Sequence, residues 1–354
     1  MRALMCVLVA AALFQMPSAI LLAQSRRGDM ELIERHRRVP GAPVVSSWED
    51  GVRPQGPDSL SFRVRSWSFS SDSASGNEDD AEVVVAVHGG WAYADGVPSE
   101  VMLSPCGDLL SAVSSFISMN SRGLGVAFGR YTWWRERFED VFVSYGIPED
   151  VALLCVVESA VVQDAVSEAG AVGMWQLMSY TAADYGLECG MRIDERLDVD
   201  RATVTAARFL SDAYRRLGSW PLAVTAYNCG VERVERAVAR AGGSRDFWDI
   251  RQYLPAETRA YTPVFNAVVL AWRFADRYGI GIVPYDPGTV EFRVDWDMPF
   301  RQLQAATGIT WDEFSGCNPQ YLSGTVPGAQ RVRSIALPRR YAKLYRDNIK
   351  VVDF

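Results

Sequence analysis

The stretch from Val151 to Met178, VALLCVVESAVVQDAVSEAGAVGMWQLM, constrains this chain more than any other. Seven apolar residues, Val151 to Val157, run without a break into one acid, Glu158. A helix that is apolar all round is a buried helix. Pro148 suits its first turn, and Glu149 and Asp150 suit its positive end. Glu158 then stands at the end of a buried segment, where an ionised carboxylate is costly. Such a group either finds a partner or holds its proton toward neutral pH. A carboxylic acid protonated at working pH is what a general acid needs. The same residue would also serve as a structural glutamate held by backbone or by an arginine. The segment alone leaves both readings open.

The residues beyond the glutamate narrow the choice. Behind Glu158-Ser159 comes AVSEAGAVGMWQLM, Ala165 to Met178, then TAADYGL, Thr181 to Leu187. DERLD (Asp194 to Asp198), AYNCG (Ala226 to Gly230) and ETRAYTP (Glu257 to Pro263) come next, in that order. Together these motifs resemble the lysozyme-like lytic transglycosylases (SLT domain) that cut bacterial peptidoglycan. The likeness is greatest to the membrane-bound lytic murein transglycosylase D group. The resemblance implies a mainly α fold and a catalytic Glu158 that acts as general acid and then as base. The product is then a 1,6-anhydro-muramic end, made by cutting the β-1,4 bond between N-acetylmuramic acid and N-acetylglucosamine.

The resemblance also implies substrate-binding residues. Gln176 matches a sugar-binding glutamine, with Met174 and Trp175 shaping the cleft, although Trp175 could equally be core. Tyr227 matches a tyrosine that orients the glutamate or steadies the transition state. Asn228 matches a substrate-binding or loop-fixing asparagine, and Tyr261 a late tyrosine facing the cleft. Ser159 is expected to bond near the reacting sugar or to the glutamate's loop. The chain departs from the family pattern at Val162-Gln163-Asp164, at Val231 and at Ser179-Tyr180. These departures bear on subsites and loop shape, and none removes a catalytic group. Asp164 and Glu168, the nearest carboxylates, read as surface or loop-anchoring residues. Two other classes stay open: a goose-type hydrolytic muramidase with a second carboxylate to activate water, and a non-catalytic cell-wall binding or scaffold protein.

Around this centre, 354 residues leave room for two or three domains. The N-terminus reads as a secretory signal peptide over residues 1–23. Arg2 precedes a mostly apolar run, Val7 to Leu22, broken by Gln15, Pro17 and Ser18, and cleavage is expected after Ala23. An uncleaved anchor is the alternative. Cys6 precedes most of the apolar run, the wrong place for a lipid-modified mature end. No other run is long enough to span a bilayer. Export to the periplasm or cell envelope is the expected destination.

Residues 24–104 form a poorly defined region. Ser68 to Glu82 is polar and linker-like, and Glu82 to Val87 could be a short strand. His88-Gly89-Gly90 after it lacks the rest of a phosphate loop. Residues 105–284 read as helical: Leu109, Leu110, Val113, Phe116 and Ile117 recur at helical spacing, and Tyr131 to Tyr145 forms a second helix ended by Gly146. Asp200 to Leu217 carries a stripe of Val204, Ala207, Leu210, Tyr214 and Leu217. Trp220-Pro221, Val231 to Ala241 and Glu257 to Tyr278 supply further helices.

Residues 285–354 differ. Strand Thr289 to Val294, helices Phe300 to Thr307 and Thr310 to Cys317, and strand Arg331 to Leu337 give an order that resembles a LysM module, a small domain that binds N-acetylglucosamine chains. Asn318-Pro319-Gln320-Tyr321 and Val326-Pro327-Gly328 carry that likeness, and a polar, partly helical tail ends the chain. The expected fold class is therefore mainly α, a lysozyme-like transglycosylase domain with a small α+β LysM-like C-terminal domain.

A formal charge of -7 argues against a nucleic-acid partner. The partner expected is instead the peptidoglycan glycan strand, a polymer gripped by aromatic faces and hydrogen bonds, and 11 tryptophans suit it. With only His36 and His88 and no Cys/His spacing of the right kind, neither a metal site nor a cofactor is expected. Five cysteines remain after signal removal. Cys155 and Cys229 could pair, or could be buried free thiols acting as small hydrophobes.

Overall fold

The computed structural model describes residues 101–103 and 107–349. The signal segment 1–23, the region 24–104 up to residue 100 with its strand at Glu82 to Val87, the cysteines Cys6 and Cys106, and the tail beyond residue 349 lie outside the described residues. So do the side chains of Leu109, Leu110 and Val113.

One helix, α1 (Gly107–Ser144), runs through the span where two were expected. Its apolar side, with Phe116, Phe128, Tyr131, Phe138 and Phe142, is fully buried, and Gly146 beyond it has φ +70°. The organising segment comes next, in two pieces. Glu149–Leu153 is a 3-10 turn, and α2 (Leu154–Ser159) is a short α-helix. The expected burial holds: Val151 to Val157 are all buried. What the apolar run did not show is the partner of Asp150. Arg273 donates through Nε at 3.0 Å to this buried carboxylate, tying the start of the segment to a distant helix.

Four longer helices complete the main core: α4 (Val199–Leu217), α5 (Trp220–Cys229), α6 (Val231–Arg240) and α8 (Thr258–Arg273), with α3 (Ser179–Asp184) and α7 (Phe247–Ile250) as shorter elements of the same unit. On α4 the buried stripe runs through Ala202, Ala206, Ala207, Leu210, Ala213 and Leu217. Tyr214, expected in that stripe, is 37% exposed. The close packing of α4 favours the alanines, and Tyr214 stacks at the flank on Trp220, with centroids 4.1 Å apart. The last helix is also shorter than expected: it stops at Arg273, and turns carry the chain to Gly279.

The chain then returns along α1. Val283 N–H donates to the Gly125 carbonyl at 3.0 Å. A Cβ on Gly125 would lie 2.2 Å from the Gly281 carbonyl oxygen, and one on Gly129 1.7 Å from that of Val283. Only glycine at these two helix positions lets the backbones come so close.

The C-terminal part is a small α+β unit with its own core. β1 (Thr289–Val294) pairs antiparallel with β4 (Arg333–Pro338), Phe292 opposite Ile335. β2 (Asp297–Pro299) pairs with β3 (Thr325–Pro327). Helices α9 (Phe300–Thr307) and α10 (Trp311–Cys317) lie between, the latter opened by a reciprocal Thr310–Glu313 capping box. A last helix, α11 (Ala342–Asn348), closes the core against Phe292. The strand, helix, helix, strand order read from the sequence is thus observed, with an extra strand pair. The molecule is mainly helical with this small α+β region.

The two cores meet at residues 192–198. Asp194 N–H donates to the Gln320 carbonyl and Leu322 N–H to the Arg192 carbonyl, both at 2.9 Å. Between them, Ile193 is fully buried in the C-terminal core rather than in the helical one. Glu195, 1% exposed, receives the guanidinium of Arg333 from β4, and Arg331 and Arg201 stand 3.3 and 3.5 Å away. Burial pushes the Glu195 carboxyl up, but the Glu188 amide, the Arg333 bond and the nearby arginines outweigh it and hold it below the usual range. No helix among the described residues is long and apolar enough to cross a membrane.

Candidate active site

The catalytic candidate stands where a helix is forced to stop. After Ser159 the backbone turns left-handed at Ala160 (φ 52°) and Val161 (φ 60°). For a β-branched residue that conformation is strained. The turn is held from three directions: Ala160 N–H returns to the Val156 carbonyl, Val161 N–H to that of Cys155, and the buried Arg130 donates to the Ala160 carbonyl at 3.1 Å. Glu158 sits just before the turn, 4% exposed. Burial raises its pKa from 4.5 to about 7, against the opposing effect of a hydrogen bond from the Tyr261 hydroxyl to Oε1. No other carboxylate among the described residues contributes to that shift.

The residues of the next motif form a loop pinned on two sides. Ser159 Oγ donates to the Met174 carbonyl at 2.8 Å. Tyr227, from α5, donates to the next carbonyl, that of Trp175, at 2.7 Å. Gln176 then adopts φ 46°, and its amide donates to the Gly173 carbonyl at 2.9 Å and the Ala165 carbonyl at 3.3 Å. Three consecutive residues are therefore fixed: Met174 by Ser159 at the end of α2, Trp175 by Tyr227 of α5, and Gln176 by the loop itself. Gly173 has φ +85°, and a Cβ there would lie 2.1 Å from the Arg196 carbonyl oxygen. Arg196 in turn donates to the Gly170 and Leu177 carbonyls, and Gln163 to that of Leu197. The DERLD segment is thus the floor on which the loop rests.

These contacts redistribute the expected roles. The hydroxyl on Glu158 belongs to Tyr261, not to Tyr227, whose hydroxyl is spent on the loop. Ser159 fits the second of its two expectations, binding the loop. Trp175 is core: fully buried, it packs on Phe138 and Phe142 with centroids 5.2 and 5.1 Å away, and its N–H reaches Thr203 Oγ1 at 2.9 Å. Met174 is buried at the loop's edge. Asn228 accepts from Thr258 Oγ1 at 2.9 Å, while its Nδ2 is buried without a hydrogen-bond partner among the described residues. That donor is what a substrate acceptor would satisfy. Glu168 is exposed, and Asp164 is half-buried.

Cys155 and Cys229 are free thiols, so a disulfide between them is not formed. The Cys155 thiol donates to the Ala152 carbonyl, and burial raises its pKa well above the usual value. Among the described residues no group of His, Cys, Asp or Glu is arranged to hold a metal ion. Sequence reasoning missed Arg130, Thr203 and the arginine cluster on Glu195. Only the DERLD motif itself could have drawn attention to the last.

Ser159, Gln176 and Tyr227 are joined through one pinned loop behind Glu158, and this stretch of the chain is similar to known proteins. Residues 143–249 match the family model of the transglycosylase SLT domain. The chain is also 31% identical over 209 residues to membrane-bound lytic murein transglycosylase D of Escherichia coli K12, and equally so to that of Escherichia coli O6:H1. Those alignments cover 57% of this chain and 46% of each relative, so the chain spans about half the length of the curated relatives it matches.

Proposed function

We propose that the protein is a peptidoglycan lytic transglycosylase in which Glu158 is the single catalytic carboxylate. The observation that carries this reading is a glutamate held near pKa 7 by burial and touched by a tyrosine hydroxyl rather than by a second acid. Protonated, Glu158 donates to the oxygen linking C1 of N-acetylmuramic acid to O4 of N-acetylglucosamine. The C1–O4 bond breaks with oxocarbenium character at C1. The C6 hydroxyl oxygen of the same muramic residue bonds to C1 and gives its proton to the Glu158 carboxylate. The acid is restored and no water is consumed. Tyr261 donates to Oε1 throughout, which leaves Oε2 to carry the proton in each direction.

In this reading Gln176 and Asn228 bind sugar polar groups, Met174 shapes the cleft, and Ser159 and Tyr227 hold the loop that presents Gln176. The C-terminal unit is taken as a degenerate LysM-like module packed on the enzyme. An export signal at residues 1–23 would deliver the protein to peptidoglycan in the periplasm or cell envelope.

Mass spectrometry of purified peptidoglycan digested by the protein tests the reading. Fragments with 1,6-anhydro-muramic ends, lighter by one water than hydrolysed ones, are expected. Reducing ends would overturn the single-carboxylate reaction in favour of hydrolysis. Binding without cleavage would overturn the enzyme reading altogether.

A further inference from the structure

Two non-glycine residues in succession, Ala160 and Val161, stand in the left-handed region directly behind Glu158. Strain of this kind persists only where the surroundings over-determine it. The bonds from Ala160 and Val161 back to Val156 and Cys155 close the end of α2 in a pattern that usually takes glycine. The third bond comes from another helix. Arg130 of α1, 5% exposed, donates to the Ala160 carbonyl at 3.1 Å. A bond from a cation is stronger than one between neutral groups, and burial spares it competition from water.

Arg130 stands on a locked stretch of α1. The adjoining Gly129 lies against the returning backbone of Val283. On either side of this pair, Phe128 and Tyr131 meet Trp272 of α8 edge-on, with centroids 5.2 and 5.0 Å away. α8 also carries Tyr261, whose hydroxyl donates to Glu158. One packed helix pair therefore grips the acid at two points: α8 at its carboxyl, and α1 at the backbone two residues behind it. Ser159, between the acid and the turn, reaches the loop of Gln176.

We infer that Arg130 is a positioning residue for the proposed reaction, which through the Ala160 carbonyl holds the strained turn that aims Glu158. The inference rests on the proposed function, since that reading gives Glu158 a bond to be aimed at. Arg130 does not act on the proton. The raised pKa of Glu158 has burial and the Tyr261 bond as its causes, with no cation among them.

The test is steady-state cleavage of soluble peptidoglycan strands by the full chain, with rates corrected for the folded fraction. Arg130→Met should lower kcat by about a hundredfold, the scale of a small misplacement of a reacting group. KM should stay within about threefold, and the alkaline fall of activity should stay where it is in the wild type. Glycine adopts the left-handed turn without strain, so in an Ala160→Gly background the same replacement should cost only about a tenth as much. If Arg130→Met does not fold, Arg130→Lys takes its place: it keeps the charge but loses the planar fork, and should lower kcat by about fivefold, again less in the Ala160→Gly background. An unchanged kcat, a loss confined to the folded fraction, or an equal loss in both backgrounds would overturn the inference. So would an alkaline fall moved by the replacement, which would make Arg130 an electrostatic partner of the acid. Each of these, with wild-type cleavage to anhydro-muramic ends, leaves the proposed function standing. A wild-type chain that makes no such ends would overturn that function and this inference with it.

Discussion

The helical core and the junction each bury a glutamate, and the two are opposites. Glu158 is 4% exposed and Glu195 is 1% exposed, so burial does not distinguish them. Their neighbours do. Glu158 faces a tyrosine hydroxyl and apolar walls, and its pKa rises to about 7. Glu195 faces Arg333, Arg331 and Arg201, with a backbone amide, and its pKa falls. A buried acid becomes a proton donor when it is denied a cation, and a structural anchor when it is given one. The two are joined in the fold: Glu195 fixes the DERLD segment, whose Arg196 carries the loop that holds Gln176.

Replacing the proposed proton donor should have the largest effect. Glu158→Gln is expected to lower cleavage of peptidoglycan by about a thousandfold or more, with folding intact. A rate within about tenfold of wild type, read from release of anhydro-muropeptides, would break the contrast at its catalytic end.

Breaking the junction comes next. Arg333→Met leaves Glu195 buried with its main partner gone and should cost about 3 kcal/mol in denaturant unfolding at neutral pH. The double change Glu195→Leu with Arg333→Met should recover much of that, since no charge is then left buried. A silent single variant would show that Arg331 and Arg201 alone suffice.

The pH dependences should run in opposite senses. For Glu158 the folded pKa lies above the unfolded one. Its contribution is therefore favourable at low pH and is lost as pH rises from 4.5 to about 7. Glu158→Gln should gain on wild type over that window, by up to about 3 kcal/mol. For Glu195 the folded pKa is depressed, so its stabilisation is present at neutral pH and is lost as pH falls through the carboxylate range. Unfolding curves of wild type, Glu158→Gln and Glu195→Gln at several pH values check both signs. Activity in turn should fall as pH rises through about 7, where Glu158 loses its proton.

The smallest effect is at Tyr261. Its hydroxyl favours the ionised form of Glu158, so Tyr261→Phe should move the alkaline fall of activity to higher pH. A shift to lower pH would mean that the hydroxyl serves the protonated acid instead.

The burial of Glu158 was legible in the chain. An apolar run ending in one glutamate states burial directly, and Glu158 is buried. The strands and helices of the C-terminal unit were legible too, because alternation and capping are local signals. What stayed hidden was set by contacts across long sequence separations. Tyr261 reaches Glu158 over 103 positions and Arg333 reaches Glu195 over 138. Nothing in the local pattern assigns those partners, so the sequence points to Tyr227 at the glutamate and to Tyr261 only at the cleft. The left-handed turn at Ala160 and Val161 carries no glycine to announce it. The continuity of α1 was hidden because Gly123, Gly125 and Gly129 look like breaks. Two of the three are required there by the returning backbone of Gly281 and Val283.

The partners of two similarly buried glutamates set their acid strengths apart. Carboxyl-labelled glutamate NMR titration, with Glu158→Gln and Glu195→Gln to assign the two signals, measures this directly. Glu158 is expected to titrate at about 7, and Glu195 to stay ionised below the usual glutamate range. A Glu158 signal that titrates together with the exposed glutamates would contradict it.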